Sequence, residues 1–412
     1  MPQSSTPTSV YEQVLDQSNR ANPYPLYAEL RKTPVARQDD GSYVVSTYRE
    51  IVALLHDPRV SSDRLSGPDG TRPGDDDGSG ELPASFIHLD PPAHDQCRRA
   101  VMRHFGPPET PGRIEGMRGR MTEIITTLID GFEGRDQVDI VHDFAYPLPV
   151  TVICSLLGVP RKDEPRFSKW ADAFIETLDP RTEDPERLLA TAKSEMGSYL
   201  NDVIESHLGN PGDNLLSALA ADDLTCGGLS RPELLSNAML LFVAGHETTV
   251  NLITNGMLTL LRHPDILNRL REEPELVAPL VEELLRYEPP VQFALRRIAL
   301  TDIDIAGTTI PQGASIILAL AAGNRDPDRF DDPDRFDLDR TDNEHLGFNS
   351  GIHYCFGAPL ARLETQLALT ELVHRLRNPR LVTDPPPYRP NPRLRGPSHL
   401  PITFDGVAAP SA

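Results

Sequence analysis

Cys355 sits in a frame that suits a reactive thiolate. The stretch GFNSGIHYCFGAPLAR, Gly347 to Arg362, sets one of only four cysteines between Gly351 and Gly357 and flanks it with Phe348 and Phe356. It then runs directly into an amphipathic helix. A buried structural cysteine needs no such glycines. The spacing predicts backbone held close to something flat, with a thiolate pointing at it. Zinc is the competing metal, since His353 and Cys355 are both ligand types. A structural zinc site needs four such residues in paired spacing, and Cys97, Cys154 and Cys226 are remote in sequence.

A second constellation lies in LSRPELLSNAMLLFVAGHETTVNLITNGMLTLLRHP. Ser230 and Glu233 have capping-box spacing with Pro232 in the first turn, and the helix should end before Pro264. At about 1.5 Å per residue this helix spans on the order of 45–50 Å. A helix apolar nearly all round must be buried. Yet its middle carries Gly245, His246, Glu247, Thr248 and Thr249 in succession. Two readings are open. One is a kink in a core helix, with Thr248 bonded back to the carbonyl four residues earlier. The other is a groove in which an acid and an alcohol face a reaction centre.

Three further segments carry polar chemistry. Glu283 and Arg286 share one helix face in EELLRYEPP, where an isolated surface pair is worth only a few tenths of a kcal/mol. Asn324 to Arg340 is an irregular Pro/Asp-rich segment whose Phe330 and Phe336 predict a packed coil. His94 and Arg98, at i and i+4 of a basic helix, could hold an anion or simply form a solvated face.

These residues need a scaffold, and the 412-residue chain is long enough for a large core. The net charge of −21, from 40 basic and 61 acidic residues, argues against nucleic acid or an anionic membrane as the main partner. No uninterrupted apolar run of 18 residues and no leader-like N-terminus is visible, and no CxxC pair occurs. A cytoplasmic, reducing setting and a monomeric protein are the expectation. Ser66 to Pro83, rich in Gly, Pro and Asp, reads as a long mobile loop, with bounds of about 62–88. Apolar spacing is mostly helical from Gly112 to Leu285. Strand signals are confined to 41–48, 303–320 and 399–405.

Taken together, these segments resemble the cytochrome P450 family, in the right order and over most of the chain. The Cys355 stretch, 347–358, is similar to the family's heme-ligand loop, Phe-x-x-Gly-x-His-x-Cys-x-Gly, read at Phe348, Gly351, His353, Cys355 and Gly357. Asn349 stands where the family usually has glycine. AGHETT resembles the oxygen-activation motif, with Glu247 and Thr248 as its acid–alcohol pair. Glu283 and Arg286 match the family's Glu-x-x-Arg clamp, with Arg340 as a third partner.

The resemblance implies a mainly α fold with small mixed β-sheets, one domain over 1–412, and a long central helix over a buried heme b (iron protoporphyrin IX). It implies Cys355 as the axial iron ligand, a role that favours O–O cleavage. Ala244, Phe348, Gly351 and Gly357 would lie against the cofactor, the two glycines giving it clearance. The helix from Ala358 would turn its positive end toward the thiolate. His94, Arg98, Arg297 and His353 would meet the propionates, with Arg296 the neighbour that a shift of register would substitute.

The implied activity is a monooxygenase. One atom of O2 enters a hydrophobic small molecule of secondary metabolism (a macrolide or other polyketide, a steroid or a terpenoid) by hydroxylation or epoxidation. Electrons would come from NAD(P)H through ferredoxin and ferredoxin reductase, docking on Arg98, Arg99, Arg103 and Arg362. Leu240, Val243, Ala244, Thr248, Val291, Phe293 and Leu394 would line the substrate pocket, ordinary core packing being the alternative for each. A peroxygenase is disfavoured by Glu247 and Thr248. Oxidative coupling and desaturation stay open. A non-enzymatic heme-binding protein would leave the polar centre of the long helix unexplained.

Overall fold

The computed structural model describes residues 9–63, 82–106, 110, 112–177, 182–209, 212–222 and 227–410. Residues 64–81, most of the expected 62–88 loop, lie outside the described residues, as does Cys226. The chain is mainly helical with three small sheets. Five strands, β1 (Val35–Arg37), β2 (Tyr43–Val45), β3 (Val60–Ser61), β5 (Arg297–Ala299) and β8 (Ser315–Leu318), form one mixed sheet in the order β1-β2-β8-β5-β3. Within it β2 runs parallel to β8, and the other pairs are antiparallel. β4 (Gln137–Asp139), β10 (Pro401–Thr403) and β9 (Arg380–Leu381) make a second sheet, and β6 (Ile303–Ile305) pairs with β7 (Thr308–Ile310) as a hairpin. The strands at 41–48, 303–320 and 399–405 fall where the sequence predicts. β1, β3, β4, β5 and β9, each two or three residues long, fall outside those stretches.

The core is built around the central helix, Arg231–Arg262. The Ser230 N–H and hydroxyl both donate to Glu233 Oε2, at 2.8 and 2.7 Å, so the predicted capping box fixes the first turn. The hydrophobic core reaches from Phe86 to Phe404 and draws on the helices Pro147–Leu157 and Ala358–Arg375, which both pack on this helix. The helix is continuous through Gly245, so neither of the two readings breaks its hydrogen-bonded ladder. Thr248 and Thr249 do donate back, to the carbonyls of Ala244 at 2.8 Å and Gly245 at 2.9 Å.

The Asn324–Arg340 coil is packed down as expected. Phe330 meets Tyr48 edge-on at 5.6 Å, and Phe336 sits between His263 and Tyr287. Among the described residues one stretch, Ile140–Leu157, is apolar and long enough by composition to cross a membrane. His142 and Asp143 interrupt it, and 67% of it is buried against the protein's own core.

Candidate functional site

From Leu234 to Leu260 the central helix is buried, except at Leu240, Val243, Ala244, Gly245 and Thr248. This spacing, near i, i+4 and i+8, is a single helical stripe. The stripe faces a cavity of about 1000 Å³, large for one small-molecule site. Cys355, Phe348, Asn349, His353 and Gly357 line the same cavity, so the two constellations that the sequence separates by a hundred residues share one space. Val291, Phe293 and Leu394 complete its apolar wall, Val291 and Leu394 through an isolated backbone bridge. Phe293 is also packed edge-on against Tyr11 and Tyr27, so core packing accounts for part of its burial.

The cysteine loop is set by its own backbone. The Cys355 N–H donates to the Phe348 carbonyl at 2.9 Å and the Tyr354 N–H to Gly351 at 3.0 Å. Gly351 has φ +69°, and a Cβ there would come within 2.4 Å of the Leu55 carbonyl oxygen. Its glycine therefore clears the neighbouring Leu55 backbone, not the flat group that the sequence suggests. At Gly357 a Cβ would meet nothing within 4 Å. Asn349 also adopts a left-handed φ, +65°. Asparagine is among the few residues besides glycine that tolerate this conformation, which explains the departure from the usual glycine.

Cys355 is half-buried at the cavity wall. Burial pushes its thiol up, against the lowering effects of the Gly357 and Ala358 N–H groups and the Arg98 and Arg362 charges. Burial thus disfavours a bare thiolate, and a cation on the sulfur would stabilise it. Among the described residues the one cluster of three potential metal ligands lies elsewhere, at Asp139, His142 and His399, so zinc on Cys355 and His353 lacks its remaining ligands.

A basic cluster adjoins the sulfur. Arg98 donates to the Tyr354 carbonyl at 2.7 Å. His353 Nε2 pairs with Ser62 Oγ at 2.7 Å, and its ring lies 4.6 Å from that of His94. Burial pushes the His353 ring down to about 3, with Arg297, His94, Arg98 and His88 adding to the depression. His94 Nε2 and His353 Nδ1 are buried without a hydrogen-bond partner. Arg297 is buried beside Asp90 and donates to the Leu295 carbonyl at 3.1 Å, whereas its neighbour Arg296 lines the cavity. Asp90 is engaged by Ser61 and Ser62. A flat, dianionic cofactor such as heme fits this chemistry: it would supply the cation for Cys355, acceptors for the two orphaned imidazoles, and counter-charge for the arginines.

Thr248 lines the cavity, but Glu247 does not. The structure places the Glu247 carboxylate in the core, where it forms an ion pair with Arg389 Nε at 3.1 Å and accepts from Asn251 Nδ2 at 3.1 Å. Burial raises its pKa against the lowering effect of Arg389. The acid and alcohol thus do not face the cavity together, because consecutive helical residues point about 100° apart. Arg389, 142 positions away, carries no local signal of this partnership. Glu364 is a second acid that the sequence reading passed over. It lines the cavity from the Ala358–Arg375 helix, and burial alone pushes its carboxyl up to about 8.

Glu283 and Arg286 are a fully buried bidentate pair (2.7 and 2.8 Å), not a surface one. Arg286 also donates to the carbonyls of Asn324, Pro333 and Arg335, and Arg340 Nε stands 3.4 Å from Glu283. The clamp therefore pins the coil that leads into the cysteine loop. On the outside, Ile352 and Tyr354 are two of the four exposed large hydrophobics among the described residues. Of the arginines expected to form a docking patch, Arg103 is paired with Asp222, and Arg362 is held bidentate by Glu282, at 2.7 and 2.8 Å.

Comparison with known proteins follows this geometry. A family model described as Cytochrome P450 matches residues 79–397. The chain is 42% identical over 404 residues to cytochrome P450 monooxygenase PikC of Streptomyces venezuelae, covering 95% of this chain and 93% of that protein. It is 38% identical over 397 residues to the 6-deoxyerythronolide B hydroxylase of Saccharopolyspora erythraea, covering 93% and 96%. Among solved structures, the Bacillus subtilis 168 bacillaene polyketide synthase cytochrome P450 PksS superposes with a TM-score of 0.86 at 32% identity, covering 95% and 99%.

Proposed function

This chain belongs to the cytochrome P450 family of heme-binding monooxygenases, and from that premise we propose that it hydroxylates or epoxidises a polyketide-type substrate such as a macrolactone. The observation that carries the reading is Cys355 on the wall of the same cavity that the Leu240–Thr248 stripe faces. The names of two relatives, one a 6-deoxyerythronolide B hydroxylase and one tied to a polyketide synthase, support the substrate class. So does the apolar wall of Leu240, Val243, Val291, Phe293 and Leu394.

Cys355 would be the axial ligand, and His94, Arg98, Arg297 and His353 would hold the propionates. Ala244, Phe348 and Gly357 would form the bed of the cofactor. Heme, when bound, supplies the iron at which O2 is reduced by two electrons. The chain's own residues bind, orient and deliver protons. The apolar stripe excludes water and presses a hydrocarbon portion of the substrate toward the centre of the cavity. Thr248 donates its hydroxyl hydrogen bond to the Ala244 carbonyl, so its oxygen would act toward the cavity as an acceptor. Glu247 is held as a carboxylate by Arg389 against the raising effect of burial; it would take up a proton when Arg389 swings away and so serve as a relay one residue from Thr248.

We place electron delivery with an external ferredoxin and its reductase, and the chain in the cytoplasm. The free thiols of Cys97 and Cys154 support a reducing compartment. Residues 1–412 act as one catalytic unit, a reading supported by the core that joins Phe86 to Phe404.

The test is spectral and then chemical. The reduced, carbon-monoxide-bound holoprotein should show the thiolate-type Soret band, and a histidine-type band would remove the assignment. A panel of macrolactones, steroids, fatty acids and small aromatics is then screened for type I spectral shifts. Macrolactones should shift the spectrum and yield monooxygenated product with ferredoxin, reductase and NAD(P)H. Equal turnover with hydrogen peroxide alone would favour a peroxygenase.

A further inference from the structure

A second constellation of ligand-type side chains stands outside the cavity. Asp139 ends β4, His142 lies in the wide turn Ile140–Ala145 that follows, and His399 precedes β10. β4 and β10 are antiparallel neighbours with Asp139 opposite Pro401, so residues about 260 positions apart meet at one sheet end. One ligating atom from each of the three lies within 4.8 Å of the other two. The His142 and His399 rings are 4.7 Å apart, and His399 Nδ1 is 2.8 Å from Asp139 Oδ2.

We propose that Asp139, His142 and His399 form a site for a borderline divalent cation, Zn²⁺ in the first instance, that staples β4 to β10. Two neutral imidazoles and one carboxylate are the donor set that zinc takes when it keeps water in its remaining position. The carboxylate is already oriented. Asp139 Oδ1 accepts the N–H groups of Val141 at 3.0 Å and Leu400 at 2.9 Å, which leaves Oδ2 turned to the histidines. Such outer hydrogen bonds are what fix a metal-binding carboxylate. The turn bearing His142 is braced in the same way. Asp143 Oδ2 accepts from the Asp139 N–H at 2.9 Å and from Arg135 at 2.7 Å.

Ligand atoms around one tetrahedral zinc stand roughly 3.3 Å apart, given Zn–N near 2.0–2.1 Å. His142 and His399 are both exposed, so their rings can turn by the remaining distance without disturbing the core. The His399–Asp139 hydrogen bond occupies the place of one metal–ligand edge. The cation would close a loop of some 260 residues at the margin of a three-stranded sheet, where local stability is low.

The experiment uses tag-free holoprotein, stripped with chelator and titrated calorimetrically with ZnCl2 near neutral pH. The expected result is uptake of one Zn²⁺ per chain and a rise in the thermal midpoint, with the Soret spectrum unchanged. His142→Ala and His399→Ala replace exposed rings, so each variant should fold with a metal-free midpoint close to the parent's. Each should lose both the zinc uptake and the zinc-dependent rise. Absence of uptake by the parent, or uptake that persists in the double variant, overturns the proposal. A variant that loses uptake but also its metal-free midpoint is replaced by His142→Gln or His399→Gln, for which retained uptake likewise overturns it.

Discussion

The Glu247 carboxylate and the Arg389 guanidinium meet at 3.1 Å inside the core, one residue around the central helix from the Thr248 hydroxyl that lines the cavity. Breaking a buried pair from one side leaves an uncompensated charge, at about 3 kcal/mol. Arg389→Met should therefore lower the unfolding free energy of the holoprotein in urea by that order. Adding Glu247→Gln should recover most of the loss. If the double variant is as unstable as the single one, the pair is not the source of the cost.

Thr248→Ala removes the more exposed of the two hydroxyls, Thr248 and Thr249, that the helix brings to the cavity. NAD(P)H and O2 consumption should continue while oxygenated product per NAD(P)H falls by about a hundredfold, the low end of what a group positioned for proton transfer contributes. Hydrogen peroxide should account for the difference. Unchanged coupling would take Thr248 out of proton delivery.

Glu283 and Arg286 act on the fold and only indirectly on the chemistry. Glu283→Ala strands Arg286 among backbone carbonyls and frees Arg340 and the Asp337 N–H. The expected cost is about 3–5 kcal/mol, read as a lower thermal midpoint and faster heme loss. Substrate affinity of the protein that remains folded should be unchanged.

His246 supplies a pH signature. It is buried between Phe242 and Tyr146, and burial pushes its pKa down to about 4. The unfolded chain takes up a proton near pH 6.5 that the folded one refuses, so stability is lost as pH falls from about 6.5 to about 4. This one group contributes up to roughly 3 kcal/mol over that window. His246→Phe should flatten that part of a plot of unfolding free energy against pH, and an unaltered slope would show that other groups carry it.

At the loop, Asn349→Gly should leave the thermal midpoint within about 2 °C, because both residues accept a left-handed φ. Gly351→Ala should be far worse, since its Cβ would drive into the Leu55 carbonyl. Comparable midpoints for the two variants would contradict the backbone geometry described above.

The sequence carried what is local. Capping at Ser230 and the turn around Cys355 follow from spacing within a dozen residues, whereas the Leu240–Thr248 stripe came from the resemblance. The resemblance then supplied partners across the chain, and the cavity gathers most of them. What the sequence did not reveal depends on distant contacts or on direction. Glu247 and Thr248 look like a pair in a string of letters, yet the helix turns them onto different faces, and the acid's true neighbour is Arg389. Glu283 and Arg286 read as a weak surface pair because nothing local shows that the Asn324–Arg340 coil will bury them. Gly351 suggests cofactor clearance, but its constraint is Leu55, nearly three hundred residues earlier. The shortest strands escape pattern reading altogether.

The outward-facing side chain of Tyr354 has a consequence for the speed of the reaction. It is 40% exposed and is covalently adjacent to Cys355, with exposed Ile352 two positions before it. A charge arriving at this patch has only one peptide unit to cross before it reaches sulfur. Tunnelling over so few bonds is fast compared with the diffusion and departure of a carrier protein. Were the external donor proposed above to dock on Ile352 and Tyr354, turnover would be governed by its dwell time there, and the path through the protein would add almost nothing.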